Sequence, residues 1–548
     1  MVETSWRSRS RRLRGVRLLL AVAIACCGSG VFVAPAAGAP LAKHVILVDW
    51  DGFGYKFLNQ GYSLPNVNAL ISRGSLSQAQ SVFQSFSNPA RASMSTGAYP
   101  ERTGNVAWVF DPPSNLVLGQ TRQMDVESIA EALERPAGTT RTVASVQWYM
   151  VQDHGTAYGD PSHLYVQPGG DFSQRVDVAI DILNRRPVNS GGTLVTVPKI
   201  PDFLAVYGPQ PDEVVHQEGT HGPDVGPALE AQDAALGRLV QATKDVGIYD
   251  DTAFVVTADH DMTDWNKSAL ATLTNTINSA GYSSEVVYSG NSPQTDPDVV
   301  IAPAVTIAHL TLRGNKATDQ DRQKLRTALE AHPTEFQRVL GAPELTALHA
   351  SLKLGDLVVE ARPPWSFAKA DLAAGTYKGA HGSENEFNIP LILAGAGIAQ
   401  GQAATGSGLV DVAPTISALL DAPCPFGTQG RPLTETFTSS ASCGGVSATP
   451  PTAVTGSASR VGKTSATLNG SIDPNGQPTS YQFEYGTSTA YGSSTPTASA
   501  GSGTGPVDVS ATVTGLTRAT TYHFRLVAID AQGGRYPGTD ATFRTRRK

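Results

Sequence analysis

Three histidines and three carboxylates stand beside apolar runs in this chain. Asp51 follows Val45-Ile46-Leu47-Val48, and Asp212 and His216 stand four residues apart in Pro211-Asp212-Glu213-Val214-Val215-His216. Asp259 and His260 follow Ala253-Phe254-Val255-Val256, and His381 lies in Gly379-Ala380-His381-Gly382, ahead of Pro390-Leu391-Ile392-Leu393. Imidazole plus carboxylate, with no thiolate motif, is a donor set that suits zinc. Six such ligands are enough for two ions, and two metals about 4 Å apart clamp an in-line displacement at phosphorus. Ser87, in Phe86-Ser87-Asn88-Pro89-Ala90-Arg91, is the candidate nucleophile. Free serine is weak near neutral pH, and metal coordination activates it. Pro89 to Ser95 reads as the start of a helix. Its unpaired backbone N–H groups form an anion site, so Ser87 and Asn88 face a phosphoryl group there.

The elements that must position these groups are short β-branched runs, apolar on both faces, alternating with helical segments to about residue 425. The runs at Val45, Phe203, Ala253 and Pro390 read as buried strands. This pattern predicts an α/β fold with a mainly parallel sheet covered by helices on both faces. In such sheets ligands bind beyond the carboxyl ends of the strands, where the acids and histidines stand. The chain has 548 residues, which implies more than one ordinary domain. An apolar content of 40% with 16% charged residues excludes a disordered or collagen-like chain. Beyond the N-terminus no apolar run is long enough to span a membrane.

The combined segments resemble the alkaline phosphatase superfamily, most closely its type I phosphodiesterase/nucleotide pyrophosphatase branch. The matching stretches are Val45 to Phe53, Leu64 to Gly74, Phe83 to Gly97, Tyr99-Pro100-Glu101, Pro211 to His216, Thr257 to Met262, Gly379 to Gly382 and Val410 to Thr415. Together they span about residues 43–435. The resemblance implies one zinc held by Asp51, Ser87, Asp259 and His260, and a second held by Asp212, His216 and His381. It implies that Ser87 attacks phosphorus to form a covalent phospho-enzyme, which water then hydrolyses. The Asn88 backbone N–H would stabilise the non-bridging oxygens.

Some positions depart from that branch. Ser87 stands where threonine is usual. Trp108 stands where an asparagine that helps hold the phosphate is expected, and Asp261 replaces a glycine. Extra residues, His221 among them, follow His216. Ser87-Asn88-Pro89-Ala90-Arg91 also resembles the sulfatase signature, so Arg91 reads either as a residue orienting a substrate anion or as a salt-bridged structural arginine. The substrate is expected to be a phosphoester small molecule or lipid. A phosphomonoesterase, a sulfatase-like hydrolase and a non-catalytic surface-binding protein are the alternatives.

Residues 1–36 combine six arginines, an apolar stretch and Ala34-Pro35-Ala36, which reads as a secretory signal. Without them the net charge falls from −7 to −12, which argues against nucleic acid as a structural partner. Export would let Cys424 and Cys443 pair. The catalytic region is expected over residues 40–444, with a substrate-facing cap within about 265–377. A linker is expected at 445–455, then an all-β sandwich at 456–548 that resembles a fibronectin type III domain around Gly515-Leu516 and Thr521 to Phe524. That module would serve as a spacer or contact cell wall or polymer.

Overall fold

Strand β1, His44–Trp50, is wholly apolar from Val45 to Val48, as a strand covered on both sides must be. The computed structural model describes residues 40–135, 141–351, 353–443, 450–475, 479–489, 491–501, 505–530 and 534–547. The expected signal at 1–36 lies outside the described residues. After β1 come β2 (Ser75–Gln80), β3 (Val143–Val146), β4 (His163–Val166), β5 (Phe203–Gly208) and β6 (Thr252–Thr257).

The chain then builds a separate five-stranded sheet within the expected cap. Its strands are β7 (Ser284–Val286), β8 (Val299–Ala304), β9 (Ile307–Leu312), β10 (Phe336–Leu340) and β11 (Leu357–Ala361). They run in the order β7-β8-β9-β11-β10. The chain returns to the main sheet as β12, Asn388–Gly395.

The main sheet is ordered β2-β12-β6-β1-β5-β3-β4. Pairing is parallel from β6 through β1, β5 and β3 to β4. β12 is antiparallel to both β6 and β2. β2 therefore runs the same way as β6, and β12 starts where the parallel strands end. This places the segments after β1, β2, β5 and β6, and the one before β12, at a single edge. Val48 pairs with Val256 and Val206, so one continuous apolar layer carries that edge.

The cap sheet is antiparallel apart from the β7–β8 pair. Ile307, Leu340 and Val358 of the cap share a buried cluster with Phe83, Phe86 and Val106, so the cap is packed onto the loop that carries Ser87.

Beyond residue 450 the texture is all β. Thr452–Thr455, Ser465–Asp473 and Val507–Thr514 form one antiparallel sheet. Thr479–Gly486 and Thr521–Asp530 centre a second. Leu468, Phe483, Phe524 and Leu526 fill the space between them. Thr452–Thr455, expected as the end of a linker, is a strand of the first sheet, and residues 444–449 lie outside the described residues. The Thr517 N–H donates to the Tyr522 hydroxyl at 2.9 Å, pinning the entry to the Thr521–Asp530 strand. Cys424 and Cys443 are disulfide-bonded, with Cα atoms 5.1 Å apart.

One buried acid in the cap makes its stability pH-dependent. Glu360 of β11 is fully buried. It accepts the Glu384 N–H at 2.9 Å, while Arg338 Nε stays 4.0 Å away. Burial outweighs both and raises Glu360 from 4.5 to about 7. The folded protein keeps this proton across a range where the unfolded chain has lost it. The associated stability is therefore complete below pH about 4.5 and is lost as pH rises through about 7. Glu360→Gln should flatten this dependence, gaining on the wild type by about 1 kcal/mol for each pH unit crossed. Urea denaturation of both proteins at pH 5 and pH 8 measures the difference.

Candidate functional site

Each candidate side chain owes its position to a local feature. Asp51 follows β1 directly, and the turn there needs Gly52 at φ +72°, where a Cβ would sit 3.1 Å from the Asp212 Cβ. The Gly52 N–H donates to Asp259 Oδ1 at 3.2 Å, and the Asp212 N–H donates to the Asp51 carbonyl at 3.1 Å. Helix α1, Ser87–Thr96, is rich in small residues and buried along its whole length. Ser87 is its first residue. Helix α2, Asp212–Glu218, puts Asp212 and His216 on one face, four residues apart. Gly379 allows close approach to that helix, since a Cβ there would lie 2.3 Å from Val215 Cγ1. His381 follows two residues later.

The structure brings the seven expected ligands together as two adjacent groups. In one, His260 Nε2 lies 3.3 Å from Ser87 Oγ, 3.4 Å from Asp51 Oδ1 and 3.2 Å from Asp259 Oδ2. In the other, Asp212 Oδ1 lies 3.1 Å from His216 Nε2 and 3.5 Å from His381 Nε2. The His260 and His381 rings stack at 3.6 Å between centroids, which joins the groups. Ligand atoms of Asp212, His216 and His381, and of Asp51, Asp212 and His260, lie within 4.8 Å of one another in each set.

The donor set fits cations. His260, His216 and His381 each place Nδ1 on a backbone carbonyl, of Asp261, Gly379 and Ser85, at 2.9–3.0 Å. A carbonyl only accepts, so each Nδ1 carries hydrogen, and the neutral His260 and His381 rings turn a bare Nε2 towards carboxylate oxygen. Asp51 Oδ1 and Asp212 Oδ1 are buried without a hydrogen bond. Lone pair facing lone pair is favourable only with a cation between them. Burial lowers His260 to about 4, and burial with the neighbouring histidines lowers His381 further. Both are thus held in the metal-binding neutral form. Burial also opposes charge on His216, but Asp212 outweighs it and lifts His216 to about 9.

Arg91 does not line the opening. It is fully buried beneath the carboxylates. Nε reaches Asp49 Oδ2 at 2.6 Å, and Nη2 reaches Asp51 Oδ2 at 2.9 Å and Asp259 Oδ2 at 3.0 Å. Nη1 donates to the Tyr149 hydroxyl at 2.8 Å. Of the two roles open to Arg91, the geometry is that of a salt-bridged arginine within the fold. Asp49 also accepts from Trp148 Nε1 at 3.2 Å, and Tyr207 donates to Asp51 Oδ2 at 2.7 Å. Burial raises Asp49 and Asp259 despite Arg91, whereas Arg91, His260 and Tyr207 together keep Asp51 below the ordinary carboxylate value.

The Asn88 backbone N–H, expected to face a phosphoryl oxygen, donates to Gln120 Oε1 at 2.9 Å. Trp108 packs edge-on against Phe86, 4.5 Å between centroids. Gln84 fixes its loop by bonding both the N–H and the carbonyl of Ala107. Asp261 pairs with Lys56 at 3.1 Å, and His221 is exposed on a turn. Tyr149, Tyr207, Gln120 and Lys56 carried no signal in the sequence: Tyr149 and Gln120 have no motif around them, and Tyr207 and Lys56 stand beside recognised runs without a residue type that marks a role.

Arg91→Met should leave three buried carboxylates without their cation and cost about 3–5 kcal/mol. Urea denaturation in chelator measures this, and an added divalent metal should recover part of the loss. Comparison with known proteins accords with this geometry. The murine ectonucleotide pyrophosphatase/phosphodiesterase 5 in complex with AMP superposes with a TM-score of 0.54 at 18% identity, covering 70% of this chain and 96% of that one. Family member 5 of the ectonucleotide pyrophosphatase/phosphodiesterases of Homo sapiens is 26% identical over 245 residues, 43% of this chain and 48% of that protein. The bis(5'-adenosyl)-triphosphatase ENPP4 of Bos taurus is 25% identical over 248 residues, 43% of this chain and 51% of that protein. The chain thus spans about half the length of these curated relatives. The family model described as type I phosphodiesterase / nucleotide pyrophosphatase matches residues 45–384, which include every residue of both groups, and the chain belongs to that family.

Proposed function

We propose that this protein is a secreted, metal-dependent phosphoric ester hydrolase of the phosphodiesterase/nucleotide pyrophosphatase type, with Ser87 as nucleophile and two zinc ions as cofactors. The observation that carries the reading is the placement of Ser87 Oγ 3.3 Å from His260 Nε2, beside two carboxylate–imidazole groups with unpaired buried oxygens. Asp51, Ser87, Asp259 and His260 would hold one ion, and Asp212, His216 and His381 the other. When bound, such ions lower the pKa of an alcohol or water and offset charge on a phosphoryl group.

The chain's own residues supply the rest. Ser87 Oγ forms the bond to phosphorus as the bond to the leaving alcohol breaks; the serine proton passes to solvent, and the leaving oxygen takes one up there. Water then displaces Ser87 from phosphorus, releasing a phosphomonoester and restoring the hydroxyl. Asn88 N–H, at the start of α1, would stabilise the negative charge that develops on the non-bridging oxygens. Arg91 holds Asp51 and Asp259 in place through its Nη2.

The names of the relatives favour a nucleotide substrate, since one acts on a bis(5'-adenosyl) triphosphate and one binds AMP in its solved structure. Secretion is supported by the Cys424–Cys443 disulfide. No helix among the described residues is long and apolar enough to cross a membrane. Residues 40–444 would form the catalytic region. The two sheets beyond residue 450, with the Tyr522 hydroxyl tied to Thr517, support a fibronectin type III-like module acting as a spacer.

Hydrolysis of bis-p-nitrophenyl phosphate, p-nitrophenyl phosphate and p-nitrophenyl sulfate by the full chain tests the reading. The diester should be preferred, with activity lost in chelator and restored by zinc. Ser87→Ala should lower the rate by roughly a thousandfold or more. A monoester preference would make the protein a phosphatase, and sulfate turnover would make it a sulfatase.

A further inference from the structure

We infer that Gln120 is a substrate-binding residue that guards the Asn88 N–H in the resting protein and, when the phosphoryl group arrives, gives up that N–H and turns its own amide N–H to the phosphoryl oxygen. This rests on the proposed phosphoester chemistry at Ser87. Asn88 follows the nucleophile, and its N–H is among those at the start of α1 that have no partner within the helix. In the structure that donor is taken by Gln120 Oε1 at 2.9 Å. A carboxamide oxygen thus stands where a non-bridging oxygen would need to be.

The other carboxamides at this spot are committed elsewhere. Asn88 Nδ2 donates to the Thr121 carbonyl at 2.6 Å, and Asn88 Oδ1 accepts from Tyr149 at 2.7 Å. Asn105 Nδ2 donates to the Thr121 and Gln123 carbonyls at 3.2 and 2.8 Å. Position 108 carries an indole. These bonds pin the backbone of 121–123 against the nucleophile helix, while the Gln120 side chain stays exposed. No described residue accepts from Gln120 Nε2. Gln120 is therefore the carboxamide here that can move: a swing of its exposed side chain clears the Asn88 N–H, and rotation about its last bond then presents a donor in place of an acceptor. No proton transfer or covalent change is needed.

Two variants separate this role from that of a fixed cap. Gln120→Glu keeps an acceptor for Asn88 N–H but loses the donor and adds negative charge beside the phosphoryl group. Gln120→Ala loses both. Orthophosphate binding to the zinc-loaded full chain, read by calorimetry, should fall roughly tenfold in Gln120→Ala and roughly a hundredfold in Gln120→Glu, the range for a hydrogen bond to a charged group. Diester kcat/KM should follow the same order, with thermal midpoints unchanged. The reverse order, with Glu close to wild type and Ala alone impaired, would make Gln120 a static cap and overturn the inference, as would three equal affinities. The outcome is separable from the proposed function. A wild type that binds phosphate in the expected order but hydrolyses none of the three esters would uphold Gln120 and reject the hydrolase. Diester hydrolysis that depends on Ser87 but not on position 120 would do the opposite.

Discussion

The buried guanidinium of Arg91 is the constraint on which this site depends. It sits among Asp49, Asp51 and Asp259, within 3.0 Å of an oxygen from each. Three carboxylates brought to one place in a low-dielectric interior repel one another, and each loses hydration on burial. A flexible ammonium would meet one of them well. A planar guanidinium with several fixed donors can meet all three and still bond Tyr149. Arg91 therefore fixes Oδ2 of Asp51 and leaves its Oδ1 buried and unpaired, 3.4 Å from His260 Nε2.

That arrangement follows from the sheet. Asp49 lies on β1, where its backbone pairs with Thr257 of β6 and Tyr207 of β5, so register alone places Asp51 between the ends of both neighbours. Arg91 comes from the helix that starts at Ser87, one turn after the nucleophile. Fixing Arg91 on the β1 carboxylates thus also fixes where Ser87 begins that helix. Phe86, just before it, packs on Trp108 and on the His381 ring. The cap closes the same region through Thr306, whose hydroxyl donates to the His381 carbonyl at 2.8 Å. Ser87, the acids and histidines beside it, and the cap are thereby held by one continuous set of contacts.

Much of this was legible in the residues. Asp51, Asp212, His216, Asp259, His260 and His381 each follow or precede a recognisable strand or helix, and the α/β class with buried parallel strands was plain from runs such as Val45 to Val48. The direction of β12 was not, because a strand covered on both faces has the same composition in either sense. Thr452–Thr455 read as linker because Ser, Thr and Pro dominate around it; its exposed Val454 adds no apolar alternation to betray a strand. Arg91 shows the harder limit. Its spacing from Ser87 matches a substrate-facing role as well as a structural one, and only the carboxylates of two other strands, absent from its local sequence, separate the two. Gln120 had no signal at all, since an isolated glutamine on a loop is common and its meaning lies in the single N–H it meets.

The charges of the chain's own groups set the order in which this site can be filled. Asp49, Asp51 and Asp259 gather around one guanidinium, Asp212 pairs with the charged His216 beside them, and His260 and His381 are held neutral. A phosphate diester carries negative charge and meets acceptor oxygens at the opening. Unpaired acceptor oxygens and a phosphate oxygen are drawn together only with a cation between them. On the proposed function, cation binding would come before substrate binding as well as before the activation of Ser87. A neutral carboxamide at position 120 suits that sequence of events, because it covers the N–H without adding to the negative charge that the substrate must overcome.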